Sequence, residues 1–342
     1  MVLFILYLSL EIIRGRIYTY NSHYLLEESI KYLFYPIGFY FTISIFRDNQ
    51  DDNTFLKQLL IVFLVLGAII ALQMFYYYFF ITHGDRVLTR QANLLLISLM
   101  TSITLMAFYS MNKFLKILLT LLSIIYSIGI LIFMQRSLWI GTFCSIIAFL
   151  LILFIMRNKK SKSIIPILLI IIMIFSGGFI IYSNYSINTA KFEERFEVLD
   201  TGVRTFSVSA RILSYLRVFS KIKENYLLGK GMGDVLVTPY LNQRVVGIVD
   251  NSYIVILWKL GLIGLIIFML IYFKTFKQLW FIIKNSQSNL YSIVSIIFFS
   301  TLIGYFVNGL ACVIMTLYYF NFIWAAFIAI TDFMYRKVCN NI

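Results

Sequence analysis

Apolar runs closed by charged or turn-forming clusters recur along the whole sequence, near 29–46, 55–80, 92–110, 114–134, 137–156, 164–183, 252–273, 290–311 and 314–334. Each approaches the ~20 residues that carry a helix across a ~30 Å hydrocarbon core. A shorter run, Met1–Ile13, opens the chain without a basic leader or a small-residue cleavage site, so it reads as a first span and not as a removable signal. Thirteen residues cover only ~20 Å as a helix. The pattern predicts an all-α polytopic membrane protein of about ten transmembrane helices. It is divided into an N-terminal transmembrane bundle (1–183), one large extracytoplasmic loop (184–250) and C-terminal transmembrane helices (251–342).

Charge supplies the orientation. The basic cluster Arg157-Asn158-Lys159-Lys160-Ser161-Lys162 marks a cytoplasmic loop, and the remaining loops alternate from it. The short outer loops then hold only arginines: Arg14, Arg16, Arg86, Arg90 and Arg136. Arg14 and Arg16 sit awkwardly, because basic residues directly after a first span favour the inside. The formal charge of +14 is thereby largely topological, and nucleic acid is not an expected partner. With 61% apolar and 13% charged residues, the chain is excluded from the soluble globular class. Cys144, Cys312 and Cys339 are scattered without metal-ligand spacing. There is no Walker loop, dinucleotide fingerprint or HExxH motif, so no metal and no cofactor are expected, and the energy must reside in the substrate.

The connection at 184–250 differs from the others in length and polarity, and function is expected there first. It begins acidic (Glu193, Glu194, Glu197, Asp200) and turns basic (Arg204, Arg211, Arg217, Lys221, Lys223, Lys230). Ile212, Tyr215, Leu216, Phe219 and Ile222 recur at helical spacing opposite Ser214, Arg217, Lys221 and Glu224. This predicts an amphipathic helix over 209–225, capped by Ser207 or Ser209. Arg211 falls in its first turn, where free N–H groups favour an anion and a guanidinium adds bidentate phosphate recognition; lipid headgroups or Glu193 and Glu194 would satisfy it as well. Arg136, at the tip of an otherwise apolar hairpin, either marks the interface or projects toward a lipid phosphate. Arg86 and Arg90 are weaker examples of the same kind. Asp250, at the boundary where the next span opens, either takes a proton from an attacking hydroxyl or caps the helix. Lys259, eight residues into that span, reads as buried wiring or a lining charge.

Taken in order, Gln135-Arg136-Ser137, then Arg211-(x)13-Asn225-Tyr226-(x)2-Gly229-x-Gly231, then Asp250-Asn251-Ser252-Tyr253-(x)7-Gly261-Leu262-Ile263-Gly264, resemble the O-antigen ligase and polymerase superfamily over roughly 114–275. Asp250 stands where that family often has His, and the Asn225-Tyr226 turn lacks the usual proline. The resemblance implies a fold similar to the GT-C glycosyltransferases and a bacterial cytoplasmic-membrane enzyme with its site on the outer face. The implied substrate is a glycan carried on undecaprenyl pyrophosphate. Carried over by position, Arg136 and Arg211 bind the pyrophosphate, with Arg217, Lys230, Arg86 and Arg90 as further cations. Asp250 and Arg211 are the catalytic candidates, and Asn251, Tyr253 and Gly231 position the acceptor and the loop. Expected partners are membrane lipids, a chain-length regulator and a flippase. Rival readings are a ligase, a lipid-oligosaccharide flippase and a non-catalytic membrane subunit.

Overall fold

The computed structural model describes residues 1–18, 22–48, 52–81, 90–109, 111–133, 135–156, 206–237, 244–245, 249, 251–312, 314 and 318–340. Ten α-helices occupy the described residues: α1 Val2–Ile17, α2 Ser22–Asp48, α3 Asp52–Tyr76, α4 Leu94–Phe108, α5 Lys113–Ile132, α6 Arg136–Met156, α7 Phe206–Glu224, α8 Ser252–Asn285, α9 Asn289–Gly309 and α10 Tyr318–Asn340. A π turn (Tyr77–Ile81) extends α3 and a 3-10 turn (Arg90–Asn93) precedes α4. The all-α architecture carries one small addition, an antiparallel pair of two-residue strands in which Leu236 faces Val245 and Val237 faces Arg244.

Six stretches among the described residues are long and apolar enough to cross a membrane: Asp52–Ile81, Gln91–Phe108, Lys113–Ile132, Ser137–Met156, Ser252–Asn285 and Asn289–Gly309. The protein is therefore a polytopic α-helical membrane protein. The expected span at 164–183 lies outside the described residues. Helix α1 has 16 residues, ~24 Å of rise. Helices α2 and α10 have the length to cross but carry Glu27, Glu28 and Lys31, and Asp332, Arg336 and Lys337 respectively.

The chain forms two compact units, neither continuous in sequence: one of 1–50, 204–278 and 308–342, the other of 51–203 and 279–307. In the second unit α4 is the central element, with every residue from Leu95 to Met106 buried. Three of its hydroxyls find partners inside the helix pack: Ser98 donates to Phe63 O at 2.7 Å, Thr101 to Ile97 O at 2.7 Å, and Ser102 bonds to Ser123 at 2.7 Å. Small residues set the helix approach. A Cβ on Gly67 would meet Ser98 at 2.4 Å, and one on Gly304 would meet Ser145 Oγ at 2.0 Å. Close backbone approach through small residues is how helices associate in lipid, where apolar burial drives little. Helix α5 begins where the run begins, because Asn112 accepts from Leu115 N at 2.9 Å as an N-cap.

In the first unit α10 packs along α2. Phe322 contacts Phe34 and Phe41, Phe333 contacts Phe46, and Asn321 donates to Lys31 O at 2.7 Å. Tyr272 of α8 stacks against Trp324 at 4.0 Å, and Tyr35 of α2 meets Phe268 at 6.2 Å. Against this frame lie α1, α7 and the glycine-rich turn that follows α7.

Candidate functional site

The site is built around a break in α8. Gly261 has φ 65° and ψ −172°, a conformation that only glycine adopts without strain. The break releases carbonyls on one side of it and N–H groups on the other, and the turn after α7 satisfies both sets. Lys230 N donates to Trp258 O at 2.8 Å and Gly231 N to Lys259 O at 3.0 Å; in return Leu262 N donates to Tyr226 O at 2.8 Å and Ile263 N to Leu227 O at 3.2 Å. Buried backbone groups require such partners. The exchange brings main chains too close for side chains: a Cβ on Gly229 would meet Gly261 N at 2.5 Å, and one on Gly261 would meet Leu227 O at 2.3 Å. The turn glycines Gly229, Gly231 and Gly233 all have positive φ. Gly231, expected to position the loop, lies in this contact.

Helix α1 clamps the same turn. Arg14 donates to both carboxylate oxygens of Glu11 at 2.8 Å, to Leu228 O at 2.7 Å and to Gly229 O at 3.0 Å. Tyr7 donates to Leu260 O at 2.5 Å, capping another carbonyl freed by the break. Arg14 is thus a structural clamp.

Behind the turn lies a network of four buried or half-buried charges. Lys259, 1% exposed, pairs with Glu28 at 2.6 Å, donates to Asp234 O and lies 4.2 Å from the centre of the Trp258 ring. Glu28 also accepts from Gly233 N at 2.6 Å. Asp234 accepts from Lys221 at 2.7 and 2.8 Å and from Trp258 Nε1 at 2.8 Å, while Lys221 donates again to Val235 O. Two cations and two carboxylates balance, as charge in a low-dielectric setting demands. Lys259 is therefore buried wiring. Glu28 and Asp234 escaped the sequence reading; an acid at the edge of an apolar run, and another directly after Gly231-Met232-Gly233, were the signals available.

Helix α7 departs from its expected start. It starts at Phe206, so Ser207 and Ser209 lie within it, and Arg211 stands in the second turn, past the free N–H groups of the first. The anion argument for Arg211 therefore rests on the guanidinium alone. The packed face holds Val218 and Ile222, which join Leu236, Val249, Val255 and Trp258 in one core cluster. Of the apolar positions expected to share one face, Ile222 is buried and Tyr215 packs against the cluster, while Leu216 and Phe219 are 62% and 44% exposed. The reason is polar: the bond from Lys221 to Asp234 turns the helix so that a lysine faces inward.

Asn251 begins α8. Its side chain accepts from Tyr253 N and Ile254 N, both at 3.0 Å, and donates to Leu310 O at 2.7 Å; Ser252 donates to Cys312 O at 2.7 Å. The cap of α8 is thus Asn251, and Tyr253 is buried beside it. Lys230 pairs with Glu224, whose side chain is largely exposed, and Arg217 is half-buried on α7. Arg136 begins α6 and Arg90 opens the short turn before α4, but the side chains of Arg136, Arg211 and Arg90 lie outside the described residues, as do Arg86 and Asp250 altogether. Among the described residues no group of three or more His, Cys, Asp or Glu could hold a metal ion.

Residues 121–269, less than half of the chain, match a family model described as O-antigen ligase. The match encloses Arg136, the whole of α7, the glycine turn and the break at Gly261. No curated protein matches the sequence.

Proposed function

We propose, on the premise that this chain belongs to the O-antigen polymerase and ligase superfamily, that it is a surface-polysaccharide polymerase. In this reading it transfers a glycan from undecaprenyl pyrophosphate to a sugar hydroxyl at the outer face of the bacterial cytoplasmic membrane. Arg136 and Arg211 hold the donor's pyrophosphate, with Arg217 and Lys230 as further cations, Lys230 by exchanging its partner Glu224 for the phosphate. The acceptor oxygen attacks the anomeric carbon as the bond to the pyrophosphate oxygen breaks. The electron pair leaves with undecaprenyl pyrophosphate, and the hydroxyl proton passes to the Asp250 carboxylate. Charge developing on the leaving oxygen is stabilised by the arginines, the electrostatic role that usually contributes most. The chemistry calls for no metal, because the guanidinium groups take its place and the cleaved bond supplies the driving force. A flippase that delivers the donor and a chain-length regulator are the expected partners.

The observation that carries the reading is the reciprocal bonding of Tyr226–Gly231 with Trp258–Ile263. It fixes the turn after the helix that carries Arg211 against the break in the helix that follows Asp250, the kind of preorganisation that charge stabilisation needs. The flippase reading places cations along a lumen. Lys259, which lies on α8 before the break at Gly261, is instead tied to Glu28 and to Asp234 O.

Mass analysis of lipid-linked glycans from cells lacking the gene tests the proposal. Single repeats accumulating on undecaprenyl pyrophosphate are expected of a polymerase, long lipid-linked chains of a ligase, and an unchanged pool overturns both. Arg136→Ala and Arg211→Ala should each abolish product while the protein still inserts and folds. Asp250→Asn should cause a graded loss of activity without loss of stability, since the cap at this helix is supplied by Asn251.

A further inference from the structure

The turning of α7 leaves an apolar surface that needs an occupant. Leu216 and Phe219 point outward, and beyond the end of the helix Tyr226 and Leu227 are 56% and 46% exposed. This surface continues onto a membrane-spanning helix. Leu227 O accepts from Ile263 N, and Ile263 is the first of the exposed residues Ile263, Ile266, Leu270 and Phe273, which form one stripe down the candidate span α8. A stripe of that kind on a spanning helix faces acyl chains.

Depth agrees. The next charged residue along α8 after the break at Gly261 is Lys274, 70% exposed. Thirteen residues of helix separate the two, ~20 Å of rise, which is less than the ~30 Å of the hydrocarbon core. The turn bonded to α8 at the level of Gly261 therefore stands where lipid is within reach. Its exposed charges suit that level: Glu224 and Lys230 neutralise each other, and Lys223 has the long stem that lets an ammonium reach headgroups from an apolar surface.

We infer that α7 and the turn after it lie in the interfacial layer of one bilayer leaflet, with Leu216, Phe219, Tyr226 and Leu227 against acyl chains, as an in-plane membrane anchor. This follows from the membrane architecture and not from the proposed chemistry, so the two stand or fall separately. In-plane helices bind through an apolar face with cations at its margin, and α7 with Leu216, Phe219 and Lys223 has that composition.

The test uses the full chain reconstituted in phosphatidylethanolamine and phosphatidylglycerol vesicles, with nitroxide labels on Leu216→Cys, Phe219→Cys and Leu227→Cys in a background in which Cys144, Cys312 and Cys339 are replaced. Relaxation by oxygen, which concentrates in lipid, is compared with relaxation by a water-soluble nickel chelate. Leu270→Cys provides the lipid reference, and a label on the native, exposed Cys339 provides the aqueous one. The expected result is an oxygen-to-nickel ratio at all three sites matching that of Leu270→Cys. Ratios matching Cys339 overturn the inference in favour of a water-exposed loop, and exclusion of both reagents overturns it in favour of a protein covering the face. Leu216→Trp and Phe219→Trp, read by brominated-lipid quenching, give the same decision with the native cysteines in place.

Discussion

The two units of this protein hold themselves together by opposite means. The unit around α4 is cohesive through shape: small residues let helices touch, and hydroxyls such as Ser98, Ser102 and Ser123 find partners without any ionised group. The unit around Gly261 is cohesive through charge and broken backbone: Lys259, Glu28, Asp234 and Lys221 are sequestered together, and a helix is interrupted so that a loop can enter its hydrogen-bond ladder. The first arrangement degrades gradually under substitution. The second is all or none, because every buried charge and freed carbonyl depends on a particular partner.

That contrast sets a rank order of damage. Gly261→Val should be the most severe change, since it adds backbone strain of about 1–3 kcal/mol to a collision with Leu227 O. Loss of monodisperse protein on size-exclusion chromatography is the expected readout. Lys259→Met should follow, costing about 3–5 kcal/mol in thermal or denaturant melts because Glu28 is left buried without its cation. Adding Glu28→Gln, which keeps an acceptor for Gly233 N, should recover most of that loss. Recovery would show that the damage comes from the orphaned charge and not from lost packing. Arg14→Lys should cost about 1–3 kcal/mol, as an ammonium cannot span two carbonyls and a carboxylate in one plane. Ser98→Ala, in the other unit, should cost only about 0.6 kcal/mol. A larger loss there than at Arg14 would undo the comparison.

Helix positions were legible in the sequence because lipid imposes a length and an apolarity on each span. The expected runs at 114–134 and 137–156 agree with α5 and α6 to within two residues. The order of the glycine turn and Gly261 was legible as well, and the family match spans it. Three things were not legible, each for a physical reason. The role of Arg14 depends on carbonyls more than two hundred positions away, and no local pattern encodes that. Glu28 and Asp234 were overlooked because a carboxylate on its own resembles a solvated charge; only its partner, Lys259, stood out by lying deep in an apolar run. The facing of α7 was not legible because periodicity reports that a helix has two faces but not which of them meets a polar core. Lys221, on the polar face of the pattern, bonds Asp234, while Leu216 and Phe219 of the apolar face are exposed.

The long reach of the Arg14 and Glu28 contacts also dictates a schedule for biogenesis. Helices α3 to α6 find many of their partners among immediate neighbours and are ready to pack as soon as they leave the translocation machinery. Helices α1 and α2 are made before them but stay incomplete: Arg14 waits for the carbonyls at 228 and 229, and Glu28 for the lysine at 259. Contacts of such separation close slowly and leave unfinished surfaces exposed to quality control. A ribosome stalled before residue 259 would leave α2 holding an acid whose cation has not yet been made.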